Sequence, residues 1–151
     1  MELYNKLSAK QRAALIKKAG GKRLTLSFYK YHIIKNCELF RDHLYINWSE
    51  LDVLGRIYVA KEGINAQLSV ASENFEKFKK TIDQITFLNN VRLNIAIEHD
   101  NFSFLKLKIK LRKNIVADGL DSLNIDLNNT GEHLNAKDFN KMIESHETLL
   151  V

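Results

Sequence analysis

A ferredoxin-like α+β fold, an antiparallel sheet with helices on one face, is predicted by three observations. Apolar and polar residues alternate over 24–32, 64–70, 91–97 and 102–112, the period of a half-buried strand. Two segments with apolar residues at helical spacing, 36–54 and 72–85, interrupt them. The order is then strand, helix, strand, strand, helix, strand, with one more strand appended, which is the βαββαβ pattern. Helices in such a fold cover one face of the sheet and leave the other open or covered by something else.

Taken in order, residues 8–19 form a helix that Ser8 caps and Gly20-Gly21 ends. The first strand, Leu24 to His32, points Leu24, Leu26 and Phe28 one way and Thr25, Ser27, Tyr29 and Tyr31 the other. Asn36 caps a helix that runs to Leu54 with an apolar stripe of Leu39, Phe40, Leu44 and Leu51. Gly55 opens a strand over Arg56 to Ala60, and Lys61-Glu62-Gly63 makes a tight turn. Ile64 to Val70 returns with Ile64, Ala66, Leu68 and Val70 inward and Asn65, Gln67 and Ser69 outward. Ser72 caps a third helix that buries Phe75, Phe78, Ile82 and Ile85. Val91 to Ile97 and Phe102 to Arg112 are the last strands. The latter sets Phe104, Leu107, Ile109 and Leu111 on an apolar side against Lys106, Lys108, Lys110 and Arg112.

These elements divide the chain into an N-terminal helical extension (1–23), a ferredoxin-like domain (24–121), an Asn-rich linker (122–130) and a short segment (131–151). That segment holds a helix from Asn135 or Ala136 to Ser145. It ends in Thr148-Leu149-Leu150-Val151, which reads as the start of a buried strand. The chain is therefore expected to stop at the entrance to a second domain.

Composition narrows the function classes. A net charge of +5 and a pI of 9.3 are compatible with a polyanionic partner without requiring one. The single cysteine, Cys37, excludes an internal disulfide framework. The first ten residues lack the apolar core of a signal peptide, and no apolar run approaches the ~18 residues that span a bilayer. A cytoplasmic protein with no membrane partner is the expectation. Proline is absent, so turns rest on Gly, Asn and Asp.

The outward face of the sheet is the candidate site. It offers Tyr29 and Tyr31, then Arg56 and Tyr58, then Asn65, Gln67 and Ser69, and finally Lys106, Lys108, Lys110 and Arg112. Aromatic rings among cations suit single-stranded nucleic acid: rings stack on bases and cations neutralise phosphates. The candidates for nucleic-acid contact are Tyr29 and Tyr31 for stacking, Arg56, Lys108, Lys110 and Arg112 for phosphate, and Asn65 and Gln67 for base or ribose. The competing reading is an interdomain or homodimer interface, with the lysines guarding an edge strand.

Other residues are assigned to structure. Glu62 beside Lys61 reads as a solvated turn pair, and Asp118 and Asp121 as turn and cap residues. The five histidines show no zinc spacing, so no metal is expected. Cys37 sits near a helix start without an evident catalytic partner. A phosphohydrolase of the acylphosphatase kind would need a Gly-rich, Arg-bearing loop after the first strand, where Tyr31-His32-Ile33-Ile34 stands instead.

Several segments occur together in one order: Ser27-Phe28-Tyr29-Lys30-Tyr31, the hairpin from Gly55 to Val70, Leu93-Asn94-Ile95-Ala96, Ile115-Val116-Ala117-Asp118-Gly119 and Gly131-Glu132-His133-Leu134. On them the chain resembles the N-terminal region of bacterial rhodanese-like proteins that act as oxygen-dependent tRNA uridine-34 hydroxylases. The resemblance covers residues 24–151. It departs from relatives at Cys37 and Ala71, where proline is common. It implies a ferredoxin-like front domain followed by the start of a rhodanese-like α/β domain near Gly131, whose nucleophilic cysteine lies far downstream. The implied reaction converts wobble uridine of tRNA to 5-hydroxyuridine, with molecular oxygen as co-substrate and no other cofactor evident. The implied partners are the tRNA anticodon region and the protein's own rhodanese domain. No catalytic residue is expected in this chain, which is then inactive alone. Its role is to bind tRNA or, alternatively, to serve as an interdomain or oligomerisation scaffold with no direct RNA contact.

Overall fold

The structure, a computed structural model, describes residues 3–116, 131–145 and 147–149. The expected linker over 122–130, Asp118, Asp121 and His146 lie outside the described residues. Helix α1 (Ala9–Ala19) starts at a capping box, in which Ser8 Oγ accepts the Gln11 N–H and the Gln11 side chain accepts the Ser8 N–H. It stops at Gly20 in the left-handed conformation. Strand β1 (Arg23–Tyr31) leads to helix α2 (Cys37–Glu50), whose N-cap Asn36 accepts the Leu39 N–H. Strands β2 (Leu54–Ala60) and β3 (Gly63–Ala71) form the hairpin, and helix α3 (Phe75–Asp83) follows a single 3-10 turn over Ser72–Asn74. Strands β4 (Asn94–Ile95) and β5 (Leu107–Leu111) complete the sheet, and helix α4 (Ala136–Ile143) follows with no buried residue.

The sheet has the order β4-β1-β3-β2-β5. The four strands β4, β1, β3 and β2 are antiparallel, as the βαββαβ pattern requires. The appended strand corrects the expectation of a wholly antiparallel sheet, because β5 runs parallel to β2 and the sheet is mixed. The chain from β3 crosses back through α3 and β4 before it reaches the free edge of β2, and that path delivers β5 in the same direction as β2.

Helices α2 and α3 bury one face of the sheet. Leu44 and Trp48 of α2 and Phe78 and Ile82 of α3 share a core with Leu26, Phe28, Ile57, Val59, Ile64, Ala66, Leu68 and Val70. Trp48 stands between two rings, 6.4 Å from Phe28 and 5.4 Å from Phe78, both edge-on, and its indole N–H donates to Thr81 Oγ1.

Several expected details are corrected by the fold. The stripe of α2 is Cys37, Phe40, Leu44, Trp48 and Leu51, while Leu39 is 67% exposed, so the helix is turned away from the phase that Leu39 suggests. The helix ends at Glu50 rather than Leu54, since Asp52 adopts a left-handed backbone and Leu54 already belongs to β2. Ser72 does not cap α3; its hydroxyl donates to the Lys22 carbonyl. The expected strands over 91–97 and 102–112 shrink to two and five residues, because the segments around them leave the sheet.

The free edge of β5 is closed at its start by Asn5. Its side-chain amide donates to the Leu107 carbonyl and accepts the Leu107 N–H, replacing a strand neighbour.

Arg23 is buried beside this framework. Its guanidinium donates to the Asp52 carboxylate at 2.6 Å, to the Asp52 and Ser69 carbonyls and to Ser69 Oγ, while Arg12 holds the second carboxylate oxygen. Asp52→Asn keeps a residue tolerant of the left-handed backbone and removes the charge. It is expected to cost about 1–3 kcal/mol in a urea denaturation, since a buried guanidinium loses its ionic partner. An unchanged midpoint would show that water replaces the carboxylate at Arg23.

Candidate nucleic-acid interface

The face of the sheet opposite α2 and α3 is assembled by register. Ser27, Gln67, Arg56 and Lys108 lie side by side across β1, β3, β2 and β5, and Tyr29, Asn65, Tyr58 and Lys110 form the next row. At ~4.8 Å between strands each row spans about 14 Å. Seven of the eight candidate residues thus stand on the strands expected to carry them, and Tyr31 ends β1 beside Tyr29, with ring centroids 6.2 Å apart. The eighth, Arg112, lies one residue past β5 and places its guanidinium 5.2 Å from the Tyr58 ring centre, a cation–π contact.

The five strands contain no aspartate or glutamate, although they contribute Arg23, Lys30, Arg56, Lys108 and Lys110. Of these, Arg56, Lys108 and Lys110 stand on the open face, whereas Lys30 lies on the other face and Arg23 is paired with Asp52, so the exposed middle of the face is positive. Lys108, Lys110 and Arg56 are exposed, Gln67 is exposed, and Tyr29 is half-exposed.

Both ends of the face are occupied by the protein itself. At one end Ser69, expected to point outward into solvent, is fully buried against Arg23, with α1 held nearby through Arg12 and Asp52. At the other end Glu62 is buried rather than a solvated turn residue. Its carboxylate accepts the Ile115 N–H at 2.7 Å and lies 3.5 Å from the Asn114 amide. The Asn65 amide donates to the Ile115 carbonyl at 3.1 Å, so this candidate base-reading residue already holds the chain that leaves β5. Ile115 is itself buried. The exposed middle of the face, from Tyr29 to Lys110, remains available.

Two N–H groups of the loop after β1 are already taken. The N–H groups of His32 and Ile34 donate to the carbonyls of Glu62 and Lys61 at 2.9 and 2.8 Å, so they cannot cradle a phosphate. The ring of His32 stacks on Phe87 at 4.4 Å. Cys37 is half-buried, and its thiol donates to the Ile34 carbonyl at 3.7 Å. Among the described residues no group of three His, Cys, Asp or Glu could hold a metal ion, and no helix is long and apolar enough to cross a membrane. Away from this face, burial pushes the Tyr45 phenol above its ordinary pKa, with the Arg12 guanidinium opposing.

Sequence reasoning missed an aromatic pair at the margin of this face. Phe104, expected on the apolar side, lines a surface cleft with Phe102, Lys106 and Lys108. Residues 102–106 form the loop before β5, so strand alternation does not reach Phe104 and no local pattern marked it.

Residues 23–115, more than half of the chain, match the UPF0176 acylphosphatase-like domain. The chain is 48% identical over 129 residues to a protein of Leptospira interrogans named tRNA uridine(34) hydroxylase, covering 85% of this chain and 35% of that one. It is 43% identical over 150 residues to proteins of the same name from Photorhabdus laumondii and Yersinia enterocolitica, covering 99% of this chain and 43% of each of those. The chain thus spans less than half the length of these relatives.

Proposed function

The chain belongs to the UPF0176 family, whose members include proteins named tRNA uridine(34) hydroxylase, and from that membership we propose that it is the substrate-side part of such an enzyme, with its open sheet face contributing tRNA binding. The observation that carries this reading is a sheet without a single acidic residue whose exposed face sets Tyr29, Gln67, Arg56, Lys108 and Lys110 in adjacent rows. Cations so placed neutralise successive phosphates, and an exposed ring gives a loop base a surface to stack on.

In this reading residues 131–151 begin a rhodanese-like domain, and hydroxylation of the wobble uridine with molecular oxygen falls to that domain. The front domain binds and orients the anticodon region. None of its residues is assigned a catalytic role.

Ile115 favours a second reading. The chain leaving β5 already uses one end of the face through Glu62 and Asn65, and a following domain or a second copy of the chain would extend that coverage.

Binding of the chain to an unmodified tRNA with wobble uridine, at two or more salt concentrations, separates the two. Affinity is expected to fall steeply with salt, and Lys108→Ala to reduce the log–log slope by about 1. No binding at low salt would reject the RNA reading in favour of the scaffold.

A further inference from the structure

A cleft of about 360 Å³ opens where the loop entering β5 meets the open face. Phe102, Phe104, Lys106, Lys108 and Arg56 line it, with Ala9 of α1 at its margin. Neither phenyl ring belongs to the core, and Phe102 is 45% exposed. Phe102 forgoes much of the gain that burial would bring, Phe104 is part-buried beside it, and together they leave an apolar spot among the cations. The three cations have no carboxylate partner among the described residues.

The loop is held in shape from beneath. Asp100 accepts the Phe102 N–H with its carboxylate at 2.9 Å, and the Ser103 N–H and hydroxyl with its carbonyl. Asn101 accepts the Arg23 N–H and donates to the Gly21 carbonyl. The rings are thus presented by a loop tied to β1. The acidic side chain of the turn, Asp100, is oriented by the Phe102 N–H through one carboxylate oxygen.

We infer that this cleft is a subsite for one unstacked nucleotide, its base against Phe102 and Phe104 and its flanking phosphates against Arg56, Lys106 and Lys108. The inference rests on the proposed tRNA reading and narrows it to single-stranded RNA. A duplex keeps its bases stacked on each other and offers the rings no free face. An acidic peptide would satisfy the cations but bring no flat partner for the rings.

The test uses fluorescence anisotropy of the chain with two labelled probes, a short uridine oligonucleotide and a blunt RNA duplex. Phe102→Ala and Phe104→Leu are expected to weaken the oligonucleotide roughly 5- to 150-fold, the range of a lost stacked base, and to leave the duplex nearly unchanged. Lys108→Ala should weaken both probes. Phe104→Leu keeps the apolar volume, and circular dichroism of each variant separates lost stacking from lost fold. If the phenylalanine variants bind both probes like the parent while Lys108→Ala weakens both, the face binds phosphate, the tRNA reading stands and the nucleotide subsite is overturned. An equal loss on both probes overturns the subsite as well. If the parent binds neither probe, the tRNA reading fails and takes the subsite with it. A glutamate-rich peptide that binds as tightly as the oligonucleotide and ignores Phe102→Ala would give the cleft to an acidic segment instead.

Discussion

Gly63→Ala is expected to destabilise the protein by about 3–5 kcal/mol, combining a positive-φ backbone that alanine resists with a forced separation of strands. Gly63 has φ +151°, and a Cβ there would overlap the Lys30 carbonyl oxygen and stand 3.0 Å from Tyr31 Cα. Both obstacles are backbone, so no side-chain rotation relieves them. The strands meeting here are β1 and β3 at the centre of the sheet, where Tyr31 pairs with Gly63. Such a cost is a large share of the roughly 5–15 kcal/mol that typically holds a domain. Urea denaturation followed by circular dichroism measures it. Gly21→Ala serves as the comparison, since a Cβ at Gly21 meets nothing within 4 Å. Equal midpoints for the two variants would mean that the Lys30 carbonyl yields easily.

Trp48→Ala is expected to cost a further and independent loss of about 3–5 kcal/mol, the range for emptying a large aromatic site. Trp48 is fully buried between Phe28 and Phe78, linking α2 to β1 and α3. Its removal opens a cavity under the sheet and leaves Thr81 Oγ1 without its indole donor. Trp48→Phe should recover much of the loss, because a ring still fills the space between its neighbours. Since Trp48 is the single tryptophan, its emission reports unfolding of the parent, while circular dichroism must follow the variants. A loss below about 1 kcal/mol would show that the helices close over the gap.

Strand alternation makes the middle of the fold readable. The hairpin from Leu54 to Ala71 and the outward set Tyr29, Arg56, Gln67, Lys108 and Lys110 follow directly from period two, so the candidate face is legible in the order of the residues alone. What sequence missed depended on parts that arrive from a distance. Ser69 looks solvent-facing until Arg23 and α1 close over it, and Glu62 looks solvated until Ile115 returns to it. The direction of β5 is set by the path of the chain through α3 and β4, which no local pattern encodes. Leu39 looks part of the α2 stripe and Trp48 is absent from it, because one apolar residue at the front of a helix can shift the apparent phase of its stripe. The Phe102–Lys106 cleft escaped because a loop, rather than a strand, presents half of it.

The pairing of Asn5 with Leu107 has a consequence for the order in which the protein is made. These residues are 102 positions apart, so Asn5 must wait until Leu107 has been made before it finds its partner. The hairpin and the β1–β3 pair need only earlier residues and can close first, since near neighbours in the chain meet soonest. Lys108 and Lys110 join the sheet at the end of that sequence, in the same step that gives Asn5 its place. A chain made only as far as β3 therefore carries Arg56 on this face but lacks Lys108 and Lys110.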